Sequence, residues 1–484
     1  MTQMKEGKKF LFDTGWVVLG NLSLIFVIFI QRLIITRFMG VEELGVYSLV
    51  MSIYAIATTV VGFGLPMAMV KFSAEISKLE DEIKEFVSAS LIITGALGIL
   101  AGCLFPLISG KLSVLLNISS YSGIVVLFTP VFPFAALYFA SLAILNGKRE
   151  MKSYAMFQVL QNALFLLITL VLLSKGAGLT SIPVALCFSL AMTSIILIFR
   201  HKLYVQIHHK IHGLAYHTGR LLRFGIKVFA SNLINQLNVY ADYLLLGFFL
   251  SAEQVGYYTI AISISRLIWI IPGCVQKITF PAASEYWSNS DNTRLNLMVN
   301  KTLKYSSLLS IVSGIGIAFF ASEIISILFG PEHISATTAT LILLLGIILN
   351  SALIYSIGGL FSAIGRPGLA LKMNTVFFIL NMLLNILFIP RYGVFGAAVS
   401  KSASLIFLTL IQLFLVVRVV KIRLDVRHSI IIASTALPFI LARFVYSSFI
   451  SGIVLFSLYI VIIVRIYYAD DDIDYIKSLI FHKT

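Results

Sequence analysis

Phe38-Met39-Gly40-Val41-Glu42-Glu43-Leu44-Gly45-Val46-Tyr47-Ser48 returns, altered, as Phe249-Leu250-Ser251-Ala252-Glu253-Gln254-Val255-Gly256-Tyr257-Tyr258-Thr259, with Phe, Glu, Gly and Tyr matched in register. The same offset sets Asn21 on Asn232. A second echo pairs Asn146-Gly147-Lys148-Arg149 with Ile364-Gly365-Arg366-Pro367. Repeated halves of this kind are how many transporters are built.

The residues around these echoes are membrane-like. Hydrophobic residues make up 59% of the 484-residue chain and charged residues only 12%, against about 25% charged in soluble domains. The apolar runs are continuous and long enough for helices crossing a core of about 30 Å, which excludes the alternating strands of a β-barrel. Windows of about 19 residues give spans near 12–37, 44–68, 86–108, 121–145, 154–174 and 179–199. A second set follows near 223–250, 255–283, 302–329, 335–364, 369–389 and 394–418, with a last pair near 428–449 and 451–468. The expected fold is all-α and polytopic, with fourteen helices. Each echo falls in or after the corresponding helix of a six-helix set, and six is even, so the halves are parallel repeats. The domains expected are an N-terminal lobe over 1–199, a basic linker over 200–222, a second lobe over 223–420, and the last two helices with their tail over 421–484.

The net charge of +15 would suggest nucleic acid in a soluble protein. Here its placement argues otherwise. Lys148, Arg149 and Lys152 follow the fourth span, Arg200 to Arg223 the sixth and Arg418 to Arg427 the twelfth, whereas the odd-numbered loops hold only Lys111, Lys175 and Arg391. By the positive-inside rule both termini are cytoplasmic in a cell-membrane protein. The basic start Met4-Lys5-Glu6-Gly7-Lys8-Lys9 runs straight into an apolar stretch, the pattern of a signal anchor. Cys103, Cys187 and Cys274 lack ligand spacing, so neither a disulfide framework nor a metal centre is expected.

Together these features resemble the multidrug/oligosaccharidyl-lipid/polysaccharide exporter superfamily, and within it the polysaccharide-transporter branch of Wzx-type flippases. The resemblance rests on Arg37-Phe38-Met39-Gly40-Val41-Glu42-Glu43-Leu44-Gly45-Val46-Tyr47, on Gly64-Leu65-Pro66, on Asn146-Gly147-Lys148, and on twelve core helices plus two. It implies a V-shaped pair of six-helix bundles around a central cavity that opens alternately to the two faces. It also implies a substrate, a polyprenyl- or dolichyl-linked oligosaccharide moved to the outer leaflet.

The residues add their own argument. Arg32, Asp242, Arg266 and Lys401 lie within apolar spans. At about 2.5–3.5 kcal/mol each on the insertion scale, four such charges facing lipid would cost roughly 10–14 kcal/mol, so a shared polar cavity is expected. At 1.5 Å per residue they fall at or outward of the membrane centre, within about 10 Å of it. Arg32 aligns beside Asp242 across the duplication, which suggests a partial ion pair that leaves a positive site. Arg32, Arg266 and Lys401 are the expected phosphate ligands, since guanidinium offers a planar fork and ammonium a point charge. Arg37, near a helix end, is a further candidate that can equally snorkel to headgroups. Asp242 is the coupling or gating candidate.

Amides recur at helical spacing and are the expected cavity lining for sugar hydroxyls: Asn21 and Gln31, Gln158 and Asn162, Asn235 and Asn238, Asn374, Asn381 and Asn385, and Gln412. Their alternative is to bridge helices by hydrogen bonds.

Competing functions fit less well. A drug or cation antiporter calls for acids in the cavity, and bases outnumber the single deep acid. A membrane glycosyltransferase or ligase needs carboxylate pairs in sizeable outer loops, and these loops are short. No nucleotide-binding motif G-x-x-x-x-G-K-[ST] occurs, so the expected energy source is a gradient or the membrane potential, with no cofactor. Expected partners are the lipid-linked oligosaccharide, membrane lipids and glycan-assembly enzymes, with no nucleic acid, and the chain is expected to work as a monomer. His201, His208, His209, His212 and His217 fall in the basic linker, which reads as an amphipathic segment on anionic headgroups more than as a metal site.

Overall fold

The structure is a computed structural model. It describes residues 2–76, 80–201, 211–425, a discontinuous set between 427 and 439, and 449–468. The described residues are helical, without strands.

The chain begins with α1 (Thr2–Met39), α2 (Val41–Gly62), α3 (Leu65–Glu75), α4 (Glu80–Leu115), α5 (Ser122–Val126), α6 (Val131–Gly147), α7 (Met151–Ser174) and α8 (Ser181–His201). It continues with α9 (Ile211–Phe249), α10 (Ala252–Ser265), α11 (Ile270–Ser288), α12 (Asn292–Phe319), α13 (Ala321–Leu328), α14 (Ala336–Leu353), α15 (Leu360–Ala363) and α16 (Pro367–Leu415), and α17 covers Phe449–Tyr468. Helix therefore covers each of the first twelve expected spans and the fourteenth. Most of 440–449 in the thirteenth lies outside the described residues. Among the described residues nine helices are long and apolar enough to cross a membrane, ten if the bent pair Ser119–Val126 and Val131–Gly147 is one span. The count is lower than fourteen partly because Pro367–Val420 holds two expected spans, divided at Gly393, whose φ of 57° lies outside the helical region.

Breaks within spans have local causes. The second span ends α2 at Phe63 (φ 45°) and Gly64 (φ 70°), and Pro66 then enters the first turn of α3, where its missing N–H costs nothing. In the eighth span a 3-10 turn at Arg266–Trp269 separates α10 from α11.

By internal contacts the chain forms two compact units, one of Met1–Thr259 with Phe378–Ala397, the other of Ile260–Phe377 with Ala398–Thr484. In the first, α1 packs on α7, α4 on α6, and α9 on α2, α3 and α4. A core of Leu65, Met69, Phe72, Phe86, Val87 and Ile144 joins α3, α4 and α6, with Leu221 of α9 sealing it. In the second unit α12 packs on α11 and α14, and Ile311, Ile315, Phe319, Tyr459 and Ile463 join α12 to α17.

The duplicated stretch forms a symmetric crossing inside the first unit. Ser48 and Thr259, 211 residues apart, hydrogen-bond to each other at 2.8 Å. A Cβ on Gly45 would overlap the Ala252 carbonyl oxygen, and one on its counterpart Gly256 would overlap the Val41 carbonyl oxygen. Val41 and Ala252 are themselves counterparts. The repeats thus cross about a local twofold axis, and glycine is required because backbone meets backbone.

Candidate functional site

The same pseudo-symmetry builds two hydrogen-bonded nests from the crossing outward. Tyr47 reaches back sixteen residues to donate to Gln31 Oε1 at 3.1 Å. Its counterpart Tyr258 reaches back sixteen residues to donate to Asp242 Oδ2 at 3.1 Å. Gln31 uses its Nε2 to donate to Thr169 Oγ1 on α7 at 3.3 Å. Asp242 receives Asn381 Nδ2 and Asn385 Nδ2, one helical turn apart on α16, on its Oδ1 at 2.6 and 2.8 Å. Gln31 is fully buried, Asp242 is 1% exposed, and Asn381 and Asn385 are equally enclosed.

An ionised carboxylate so far from water loses several kcal/mol of hydration. Three donors converge on the Asp242 carboxyl, and hydrogen bonds of this kind are what offsets such a loss. The spacing of Asn381 and Asn385, four residues, places both amides on one face of α16 toward the acid. The edge-to-face contact of Tyr243 with Tyr258, ring centroids 5.6 Å apart, fixes the donating phenol.

Arg32, adjacent to Gln31, is half-buried and lies among the phenols of Tyr243, Tyr47 and Tyr240. Arg37 is exposed in the last turn of α1. In the second unit Arg266 is half-buried at the 3-10 turn next to Tyr355, while Lys401 is 2% exposed with its ammonium 5.1 Å from the centre of the Phe377 ring. That distance allows a cation–π contact.

The amides divide by what they touch. Gln31 and Asn162 join helices, Asn162 Nδ2 donating to Ser23 Oγ at 2.9 Å. Asn21 donates within its own helix to the Val17 carbonyl, and Gln158 to Tyr154 Oη. Asn235 is exposed into a cavity of about 370 Å³ that also meets Thr58, Thr59, Asn232 and Gln236. Asn238, Asn374 and Gln412 are half-buried.

Sequence reasoning missed Tyr47, Tyr258, Thr58, Thr59 and Gln236. The first two were in view, since tyrosine is one of the residues matched between the repeats, and a buried phenol needs a partner. The two threonines are adjacent in an apolar helix, a weaker signal because hydroxyls there often bond their own helix. Among the described residues no cluster of three His, Cys, Asp or Glu could hold a metal ion. His217 is buried against Phe86, 4.0 Å from Glu85. The side chains of the other linker histidines lie outside the described residues.

Residues 34–338 match the family model described as "Polysaccharide biosynthesis protein". The probable low-salt glycan biosynthesis flippase Agl15 of Haloferax volcanii is 31% identical over 163 residues, 34% of each chain. The match thus spans about a third of that relative. The probable flippase AglR of the same organism is 25% identical over 373 residues, 75% of each. Among solved structures, lipid II flippase MurJ in an inward closed conformation superposes with a TM-score of 0.76 at 19% identity, over 94% of this chain and 99% of that one. MATE transporters share the fold at TM-scores between 0.58 and 0.63.

Proposed function

The chain belongs to the family of polysaccharide biosynthesis proteins, and from that premise we propose that it is a flippase for a lipid-linked oligosaccharide. Its cargo is a glycan on a polyprenyl or dolichyl phosphate or pyrophosphate, moved from the cytoplasmic to the outer leaflet by alternating access. The names of Agl15 and AglR support this reading, as does the MurJ-like fold of a multi-pass membrane protein.

The observation that carries it is the sign of the charges at membrane depth. Three bases, Arg32, Arg266 and the buried Lys401, stand against one acid, Asp242. Such an excess suits an anionic headgroup, whereas a cationic drug would face repulsion. The bases bind the phosphate, and Arg37 guides the headgroup near the helix end. Asp242, which accepts from Tyr258, Asn381 and Asn385, acts in coupling: binding or release of a cation or proton at a buried carboxylate shifts the balance between its hydration loss and its hydrogen bonds. The gradient or membrane potential then drives the cycle, and both termini face the cytoplasm of a chain that works alone.

The test is transport of a fluorescent polyprenyl pyrophosphate oligosaccharide in proteoliposomes. Arg32→Ala, Arg266→Ala and Lys401→Ala are each expected to slow flipping by about tenfold or more, as for loss of a charged hydrogen bond of at least ~1.4 kcal/mol. Full activity in all three single variants would overturn the assignment.

A further inference from the structure

We infer that the cavity between α2, α6 and α9 is a subsite for an uncharged sugar ring, and that it sets the glycan specificity of the transporter. The inference rests on the flippase reading and adds to it which sugars are accepted.

The cavity, about 370 Å³, lies wholly within the first unit, and its size is that of a small-molecule site, about 300–1,000 Å³. Among the described residues its polar side chains are neutral: Thr58 and Thr59 from α2, Thr94 from α4, and Asn232, Asn235 and Gln236 from α9. Several of these are already oriented. Thr58 and Thr59 donate their hydroxyl protons to the Tyr54 and Ala55 carbonyls at 2.9 and 3.0 Å, which leaves their oxygen lone pairs to accept. Gln236 Nε2 donates to the same Ala55 carbonyl at 3.2 Å, leaving its Oε1 as acceptor. Asn232 adds an amide donor and acceptor, and the exposed Asn235 lies one turn along the same helix. Phe139 of α6, 43% exposed, lines the same cavity and offers a flat apolar face of the kind a sugar ring can cover. Hydroxyl partners and an aromatic face in one lining match the two kinds of surface a pyranose presents.

The neighbouring space limits where the sugar goes. A second cavity of about 590 Å³ shares Val61 and Phe132 with the first and is otherwise lined by apolar side chains, among them Leu104, Leu237, Leu244 and Phe248. Along α9 the change from amide to leucine occurs between Gln236 and Leu237, within one residue. A hydroxylated ring entering the apolar space would lose its hydrogen bonds to water without replacement, which disfavours that placement. The ring is therefore held at the amide end.

Among the described residues none that lines the cavity is charged, and this sets the specificity. A uronic or sialic acid would bring a carboxylate to a wall with no counter-ion, where burying the charge is costly. Neutral hexoses and N-acetylhexosamines meet no such penalty.

The test is binding to the full-length chain in nanodiscs, read by native mass spectrometry. Three probes are compared: a short-chain isoprenyl pyrophosphate alone, the same carrier bearing N-acetylglucosamine, and the same carrier bearing glucuronic acid. The N-acetylglucosamine probe is expected to bind about tenfold more tightly than the bare carrier, and the glucuronic acid probe no more tightly than the carrier. Thr59→Val together with Asn232→Leu should remove the advantage of N-acetylglucosamine. Asn235→Lys, at an exposed position, should instead raise affinity for the glucuronic acid probe selectively. Equal binding of the two sugars to the unaltered chain, or an undiminished N-acetylglucosamine advantage in the Thr59→Val/Asn232→Leu variant, overturns the subsite. If the bare carrier itself fails to bind, the flippase reading falls, and the subsite falls with it.

Discussion

Gln31 and Asp242 occupy the same place in the two repeats and receive the same tyrosine, yet only one of them can carry a charge. Both are sealed from solvent, both accept from a phenol sixteen residues ahead at 3.1 Å, and both meet a polar group on a further helix of the same unit. The neutral copy is complete with Thr169. The ionisable copy has two asparagines in the place of that one threonine. Under the proposed function, the contrast separates what the scaffold needs from what the activity needs. A neutral bridge is enough to join helices in a membrane, where such bonds are worth about 0.6–2 kcal/mol; a carboxylate carries a burial cost that packing alone does not require.

The comparison is broken most sharply at the acid. Asp242→Asn keeps the size of the side chain and an acceptor oxygen, so its thermal midpoint should stay close to that of the parent. Its flipping rate should fall by roughly a hundredfold, equivalent to about 2.7 kcal/mol in the barrier. Gln31→Leu should do the reverse, losing about 1–3 kcal/mol of stability through the stranded Tyr47 hydroxyl while folded protein retains most of its flipping rate. Paired thermal-melt and proteoliposome assays check both. Equal transport defects in the two variants would mean the charge has no special role.

A smaller effect sharpens the symmetry itself. Gly45→Ala and Gly256→Ala each push a methyl group into the facing backbone and should destabilise by similar amounts, about 1–3 kcal/mol. Gly110→Ala is the reference, because nothing lies within 4 Å of the added carbon. A silent change at one of the two crossing glycines would show that the repeats do not share the contact equally.

Much of this was readable from the sequence because hydrophobic length and repeated motifs are properties of single segments. The long apolar helices and the matched Gly45 and Gly256 follow from such properties. The breaks at Phe63–Gly64 and at Arg266–Trp269 do not, since apolar residues continue through them and the turn is set by backbone angles. The role of each amide was also hidden. Gln31 and Asn235 look alike on a helical wheel, but a partner on another helix decides whether an amide closes a bridge or faces a cavity. Periodicity reports the face and is silent about what stands opposite. Lys401 illustrates the same limit: its depth in an apolar span was evident, whereas its place over the Phe377 ring depends on the fold.

The most direct measurement is the choice of cargo by the unaltered chain. Purified protein in liposomes should expose a polyprenyl pyrophosphate oligosaccharide to an impermeant reagent on the opposite leaflet, and should not move a lipophilic cation under a sodium or proton gradient. Transport of the cation with no flipping of the lipid-linked glycan would contradict the account.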